Sequence, residues 1–164
     1  MKRAKHNEGQ IMIESIVAIS IALTALVSAL SLVTNSLHYN ALANQRLIGS
    51  HLAAEGVELV GNMLDRDFAL GAVWGSSLPP SPFQVSYDEP AAITTQNGNA
   101  LSYNNGTYSY QKVATSINSG FIRDITATKI SDANGVYEVS VSSTVRMAGE
   151  DPIVIEDHFY NWRQ

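Results

Sequence analysis

The run Gly9-Gln10-Ile11-Met12-Ile13-Glu14-Ser15-Ile16-Val17-Ala18-Ile19-Ser20-Ile21-Ala22-Leu23, preceded by Met1-Lys2-Arg3-Ala4-Lys5-His6-Asn7-Glu8, decides how the rest of the chain is read. From Ile11 to Val33 the residues are nearly all apolar or small, and Glu14 is the only charge. At 1.5 Å per residue this segment makes about 35 Å of helix, enough to cross a hydrocarbon core of about 30 Å with some tilt. The segment is longer than the apolar core of an ordinary secretory signal, and no small-residue cut site follows it convincingly. A carboxylate inside such a segment is costly, about 2.5–3.5 kcal/mol at mid-bilayer and less near the interface, which makes Glu14 a functional-site candidate.

Charge is distributed to match. Lys2, Arg3 and Lys5 precede the apolar run and hold that end on the cytoplasmic side. Beyond Gly9 the chain carries seven Lys or Arg against fourteen Asp or Glu, an acidic remainder without the basic balance that nucleic-acid binding uses. There is no cysteine, so an exported domain would stand on its core alone, and thiolate chemistry is excluded.

No proline occurs between the apolar run and Pro79. Leu37, Ile48, Leu59 and Leu70 recur every eleven residues, with Ala41, Leu52 and Met63 beside them, which predicts one stripe of a helix packed on a sheet. The polar side of that helix is expected to carry Asn44, Arg46, Glu55, Glu58, Asp65 and Asp67, with His51 and Glu55 as a surface pair. Gly49, Gly56 and Gly61 each weaken the helix by about 1 kcal/mol relative to alanine, and are expected to allow close helix–helix packing or to mark bends. A helix from Gln10 to Leu70 would be about 90 Å long, so half of it must find lipid or other subunits.

Residues 69–82 read as a loop rich in Gly, Ser and Pro. Phe83–Tyr87 alternates. Asn104-Asn105-Gly106-Thr107 between Leu101–Tyr103 and Tyr108–Tyr110 is a tight-hairpin signal, preferred here to reading Asn105-Gly106-Thr107 as a glycosylation sequon. Phe121–Ile130 and Val136–Met147 form a second hairpin about Ser131–Gly135. On the second arm Tyr137, Val139, Val141, Val145 and Met147 fall on one face. Ile153–Tyr160 is the last strand. The fold class is therefore α+β: a long N-terminal helix, half transmembrane and half amphipathic, packed on a C-terminal antiparallel β-sheet. The expected divisions are a leader at 1–9, an anchor at 10–36, an amphipathic half at 37–70 and a loop-plus-sheet part at 71–164.

The basic leader, Gly9 and the glutamate five residues later resemble the class III signal of type IV pilins and pseudopilins. Leu52-Ala-Ala-Glu55-Gly-Val-Glu58-Leu-Val-Gly61-Asn62 is similar to a phrase common in pilin-like proteins, LAxEGxExxRN, with Gly61 in place of its arginine. Phe121-Ile-Arg123-Asp-Ile125 and Phe159-Tyr-Asn-Trp162-Arg163 also look like the C-terminal half of pseudopilin-like proteins. The resemblance implies that prepilin peptidase cuts between Gly9 and Gln10 and methylates the new amino terminus, although Gln10 stands where the family usually has phenylalanine or methionine. It implies that Glu14 pairs with the amine of a neighbouring subunit's Gln10, an ion pair that sets the axial step between helices. The implied protein is a structural subunit of a pilus or type II secretion-like pseudopilus, not an enzyme. Its partners would be identical or related subunits, the peptidase, the membrane and an inner-membrane assembly machine driven by an ATPase, with no nucleic acid and no cofactor. It would be a single-pass cytoplasmic-membrane protein before assembly, and part of a surface or periplasmic filament afterwards. The alternative class is an anchored extracytoplasmic binding module with an uncut leader.

Other candidates are weaker. Asp132 and Asn134 have the alternate-position oxygens of a calcium loop but lack its further acids, and Gly149-Glu150-Asp151 is similarly short of ligands. His6, His38, His51 and His158 show no metal spacing. Phe83, Tyr87, Tyr103, Tyr108 and Tyr110 are expected to pack across strands.

Overall fold

The computed structural model describes residues 8–87, 89–93, 99–110, 114–133 and 135–162. One helix, α1 (Glu8–Ala69), is followed by strands β1 (Gln84–Ser86), β2 (Glu89–Ile93), β3 (Ala100–Asn104), β4 (Thr107–Ser109), β5 (Ile117–Asp132), β6 (Gly135–Arg146) and β7 (Ile153–Tyr160). The layout is the expected α+β. The chain divides into two compact units, residues 1–44 and 45–164.

The first unit is the N-terminal part of α1. Residues 9–41 are exposed throughout. Its 18-residue apolar window has a mean hydropathy of 2.5, so the helix is long and apolar enough to cross a membrane.

In the second unit the remainder of α1 lies on a five-stranded antiparallel sheet of order β4-β3-β5-β6-β7. The hairpins follow the turn chemistry. Asn104 pairs with Thr107, and the two-residue loop between them has Asn105 at φ 47° and Gly106 at φ 89°. This is the doubly positive φ of a type I′ turn, so the turn reading of Asn105 holds. β5 and β6 pair from Ile122↔Arg146 out to Asp132↔Gly135. On β6, Val139, Val141, Ser143 and Val145 are buried toward the helix, as the alternation predicts; Tyr137, beyond the core, is exposed.

The helix face that meets the sheet is Leu52, Ala53, Val57, Val60, Met63 and Leu64, packed on Phe83, Ile125, Val139, Val141, Leu101, Phe121 and Val145. Burying each large side chain contributes about 1.5–3 kcal/mol. The eleven-residue stripe is therefore displaced. Leu52 and Met63 are in the core, but Ile48 and Leu59 lie at its edge, and Leu37 and Leu70 are 64 % and 75 % exposed. Glycines stand where the helix comes closest to the sheet. A Cβ on Gly49 would meet Ile153 Cδ1 at 2.8 Å, one on Gly61 would meet the Phe159 ring at 3.1 Å, and one on Gly56 would collide with Ser143 Oγ. These glycines serve the close approach of helix to sheet, not helix to helix.

Asp67 and Glu55 also leave the expected polar side. Asp67 is 3 % exposed, and its carboxylate accepts the Ser77 N–H at 3.1 Å. It sits in the last turn, where Gly71 (φ 64°) closes the helix and Ala72 N donates to Asp67 O. Glu55 faces Arg123 at 3.4 Å rather than pairing with His51. Phe83–Ser86 does not alternate between core and solvent: all four residues are buried, because Gln84 is covered and donates to Asn99 O and Asp124 Oδ1. Phe83 exchanges both backbone hydrogen bonds with Ile125 and so docks the β1–β2 ribbon beside β5. β2 had no sequence signal. Its Pro90 is tolerated because the ribbon is two-stranded and every strand in it is an edge.

Candidate functional site at the start of the helix

Gly9, Gln10 and Glu14 all lie on the opening turns of α1, and all three are exposed. Gln10 and Glu14 are four residues apart, so they occupy the same face. Around them Ile11, Met12, Ile13, Ile16 and Val17 are each at least half exposed. Glu14 is thus a lone acid on an uncovered apolar surface, and among the described residues no cation pairs with it.

The polar side chains nearby are handled differently. Ser15, Ser20, Thr24 and Ser28 each donate to the carbonyl four residues earlier, at 2.8, 2.7, 2.5 and 2.8 Å, and Thr34 donates to Ser31 O at 2.9 Å. A hydroxyl bonded inward leaves no unsatisfied donor for a lipid or apolar neighbour. A carboxylate can only accept, and cannot be satisfied by its own helix's carbonyls in this way.

Gly9 is set apart from the glycines of the second unit. Among the described residues nothing lies within 4 Å of a Cβ built on it, and its φ is not positive. Neither packing among the described residues nor backbone geometry demands glycine there, and an alanine would favour the helix by about 1 kcal/mol. Lys2, Arg3 and Lys5 lie outside the described residues, as does Asn134. Asp132 ends β5 in register with Gly135, and Glu150 accepts from Arg46 at 2.8 Å. His158 Nδ1 lies 2.7 Å from Glu138 Oε1. The aromatic residues divide. Tyr103 and Tyr108 pack across strands at 5.0 Å, and Tyr108 meets Phe121 edge-on at 6.0 Å, while Phe83 enters the main core and Tyr87 is exposed.

The charged centre that sequence reasoning missed is Arg123. Its side chain is fully buried. Nη1 donates to Leu52 O on α1 at 3.0 Å, and Nη2 donates to Val85 O on β1 at 2.6 Å. Its own carbonyl accepts from Tyr110 Oη at 2.7 Å. Burial pushes the Tyr110 phenol up to about 12, against the opposing pull of the nearby Arg123 cation. One guanidinium thus ties helix, ribbon and sheet together. The signal was available: Phe121, Arg123 and Ile125 share parity, which puts a charge on an apolar face.

Comparison of the chain with protein-family models, with curated proteins and with solved structures gives no match in any of the three.

Proposed function

We propose that this chain is a type IV pilin-like structural subunit of a pilus or secretion pseudopilus, cut after Gly9 and assembled through its N-terminal helix. The observation that carries the proposal is Glu14: a single acid, without a described cation partner, on an exposed apolar helix whose hydroxyls bond inward. Held in lipid it costs about 2.5–3.5 kcal/mol at mid-bilayer. A cation presented at the same depth offsets that cost, and cutting after Gly9 creates one, the amine of Gln10, on every copy. Packing copies side by side would cover the apolar surface of residues 11–33 and bring one chain's amine to the next chain's carboxylate. The glycine at position 9, which no contact among the described residues requires, is explained as the residue before the cut. The acidic unit on the sheet would remain on the outer side of the membrane, then on the filament surface.

The test is the mass and N-terminal sequence of the mature protein taken from membranes of its native host. A chain beginning at Gln10, with or without an added methyl group, is the expected result. A chain that begins at Met1, or beyond about Val33, overturns the proposal.

A further inference from the structure

β7 is an edge strand: among the described residues it pairs with β6 and with no other strand. Its register sets Val139 opposite Phe159, Val141 opposite Asp157 and Ser143 opposite Ile155. Residues directly opposite share a face, so Ile155, Asp157 and Phe159 all point to the helix side. Ile155 and Phe159 pack against the core, whereas Asp157 is exposed.

A groove runs between this edge and α1, lined by Glu58, Gly61 and Asp65 on the helix and by Ile155, Asp157 and Phe159 on the strand. It continues past Gly61, Asp65 and Phe159 to the aromatic rings of Phe68, Trp74 and Trp162. Glu58, Asp65 and Asp157 are its acids, Glu156 being opposite Ser142 on the other face of the sheet, and no described lysine or arginine lines either part.

The backbone of this edge is already engaged in one place. The His158 N–H donates to Asp157 Oδ1 at 2.8 Å, not to β6. That puts His158 on the outward series of the strand, with Val154, Glu156 and Tyr160, since outward and inward groups alternate along an edge. Asp157 therefore covers one open donor, and it also places a charge on the core side of the edge. Both are devices that discourage uncontrolled strand pairing. They act selectively. A second copy of the same edge would bring acid against acid, whereas a basic strand would bring opposite charges together.

We infer that the open edge of β7 is a strand-addition site for an extended basic segment of a partner protein. A lysine or arginine of the incoming strand takes the Asp157 carboxylate, and a backbone carbonyl of that strand takes the His158 N–H so released. Main-chain bonds supply affinity, while the acids and the aromatic end of the groove select the sequence. The inference uses only the second unit and does not rest on the filament proposal.

The test titrates the full chain, in uncharged detergent micelles, with an acetylated, amidated Val-Lys octapeptide repeat. The controls are a Val-Glu repeat and a basic peptide of equal charge with proline at every second position. Saturable binding of the Val-Lys peptide is expected, at least about tenfold tighter than either control. Amide exchange should slow at Val154, Glu156 and His158. Asp157→Lys should reverse the preference toward the acidic peptide, and Asp157→Asn should weaken the basic one without changing thermal unfolding. Equal binding of the proline peptide would reduce the site to a diffuse electrostatic surface and overturn strand addition. So would indifference to peptide charge, protection confined to other strands, or no saturation up to about 1 mM.

Discussion

The buried guanidinium of Arg123 donates to the carbonyl of Leu52 at 3.0 Å, joining the central strand of the sheet to the middle of the helix face that covers it. Leu52 is in the second core cluster and Val85, the other acceptor, is in the first. The two clusters are thus bridged by a single side chain. A buried charge is tolerated when hydrogen bonds surround it, and the cost falls due when they are removed.

Arg123→Lys keeps the charge but cannot reach Leu52 O and Val85 O together, since an ammonium lacks the planar fork. Hydrogen bonds to charged groups are worth about 1.5–3 kcal/mol each, so a loss above about 2 kcal/mol is expected. Glu55→Gln should cost under about 1 kcal/mol, because the Glu55 side chain is 33 % exposed and screened by solvent. Denaturant unfolding of both variants in micelles checks this. Equal losses would mean that the ion pair, not the pair of carbonyls, holds the node.

Gly56→Ala places a methyl group against Ser143 Oγ and 3.1 Å from Arg123 Cδ. Both neighbours are fully buried, so overpacking of about 1–3 kcal/mol is expected, against the roughly 1 kcal/mol that alanine returns in helix propensity. Adding Ser143→Ala should recover part of the loss. Gly9→Ala, by contrast, should not destabilise the fold, because among the described residues nothing meets a Cβ there and alanine favours the helix. A destabilising Gly9→Ala would show that the fold itself uses that glycine.

The contrast between Gly9 and Gly56 also marks what the sequence made legible. The length of α1 follows from unbroken helical periodicity, and the hairpins follow from Asn105-Gly106 and from the alternation on β6, all local signals. The acid behind the glycine was equally plain, because a charge in an apolar run is conspicuous without any structure. The roles of Gly49, Gly56 and Gly61 were not local. Each glycine lowers helix propensity alike, and only the register of helix on sheet decides whether Ile153, Ser143 or Phe159 fills the space left by the missing Cβ. Asp67 was misplaced for the same reason: its acceptor role depends on the Ser77 N–H brought back by the loop. β2 lacked a signal because Pro90 counts against a strand except at an edge.

Tyr110 gives a pH signature. Burial raises its folded-state pKa from 10.0 to about 12, so its proton is held more tightly in the folded chain than in the unfolded one. The stability it contributes is complete below about pH 10 and is lost as pH rises from there through about 12. Tyr110→Phe should lose about 1 kcal/mol at neutral pH, the hydrogen bond to Arg123 O. Unfolding free energies of the two proteins should then converge and cross as the pH approaches about 12. Curves that stay parallel would show that Tyr110 titrates as an ordinary phenol.

Glu14→Val separates the proposed role of the acid from every structural one. The residue is exposed, and among the described residues it makes no ion pair, so nothing in the second unit should change. Removing the charge also makes the segment easier to insert, by up to about 2.5–3.5 kcal/mol. A plain membrane anchor would therefore be improved by the substitution. In a filament the same substitution removes the partner of the Gln10 amine and leaves that cation buried without compensation. The variant should be cut after Gly9 and inserted as well as the parent, yet be missing from sheared filament fractions. Mass spectrometry of the membrane-held pool and blotting of the filament pool measure the two steps separately. Normal incorporation of a correctly cut Glu14→Val chain would remove the ion pair from the assembly mechanism.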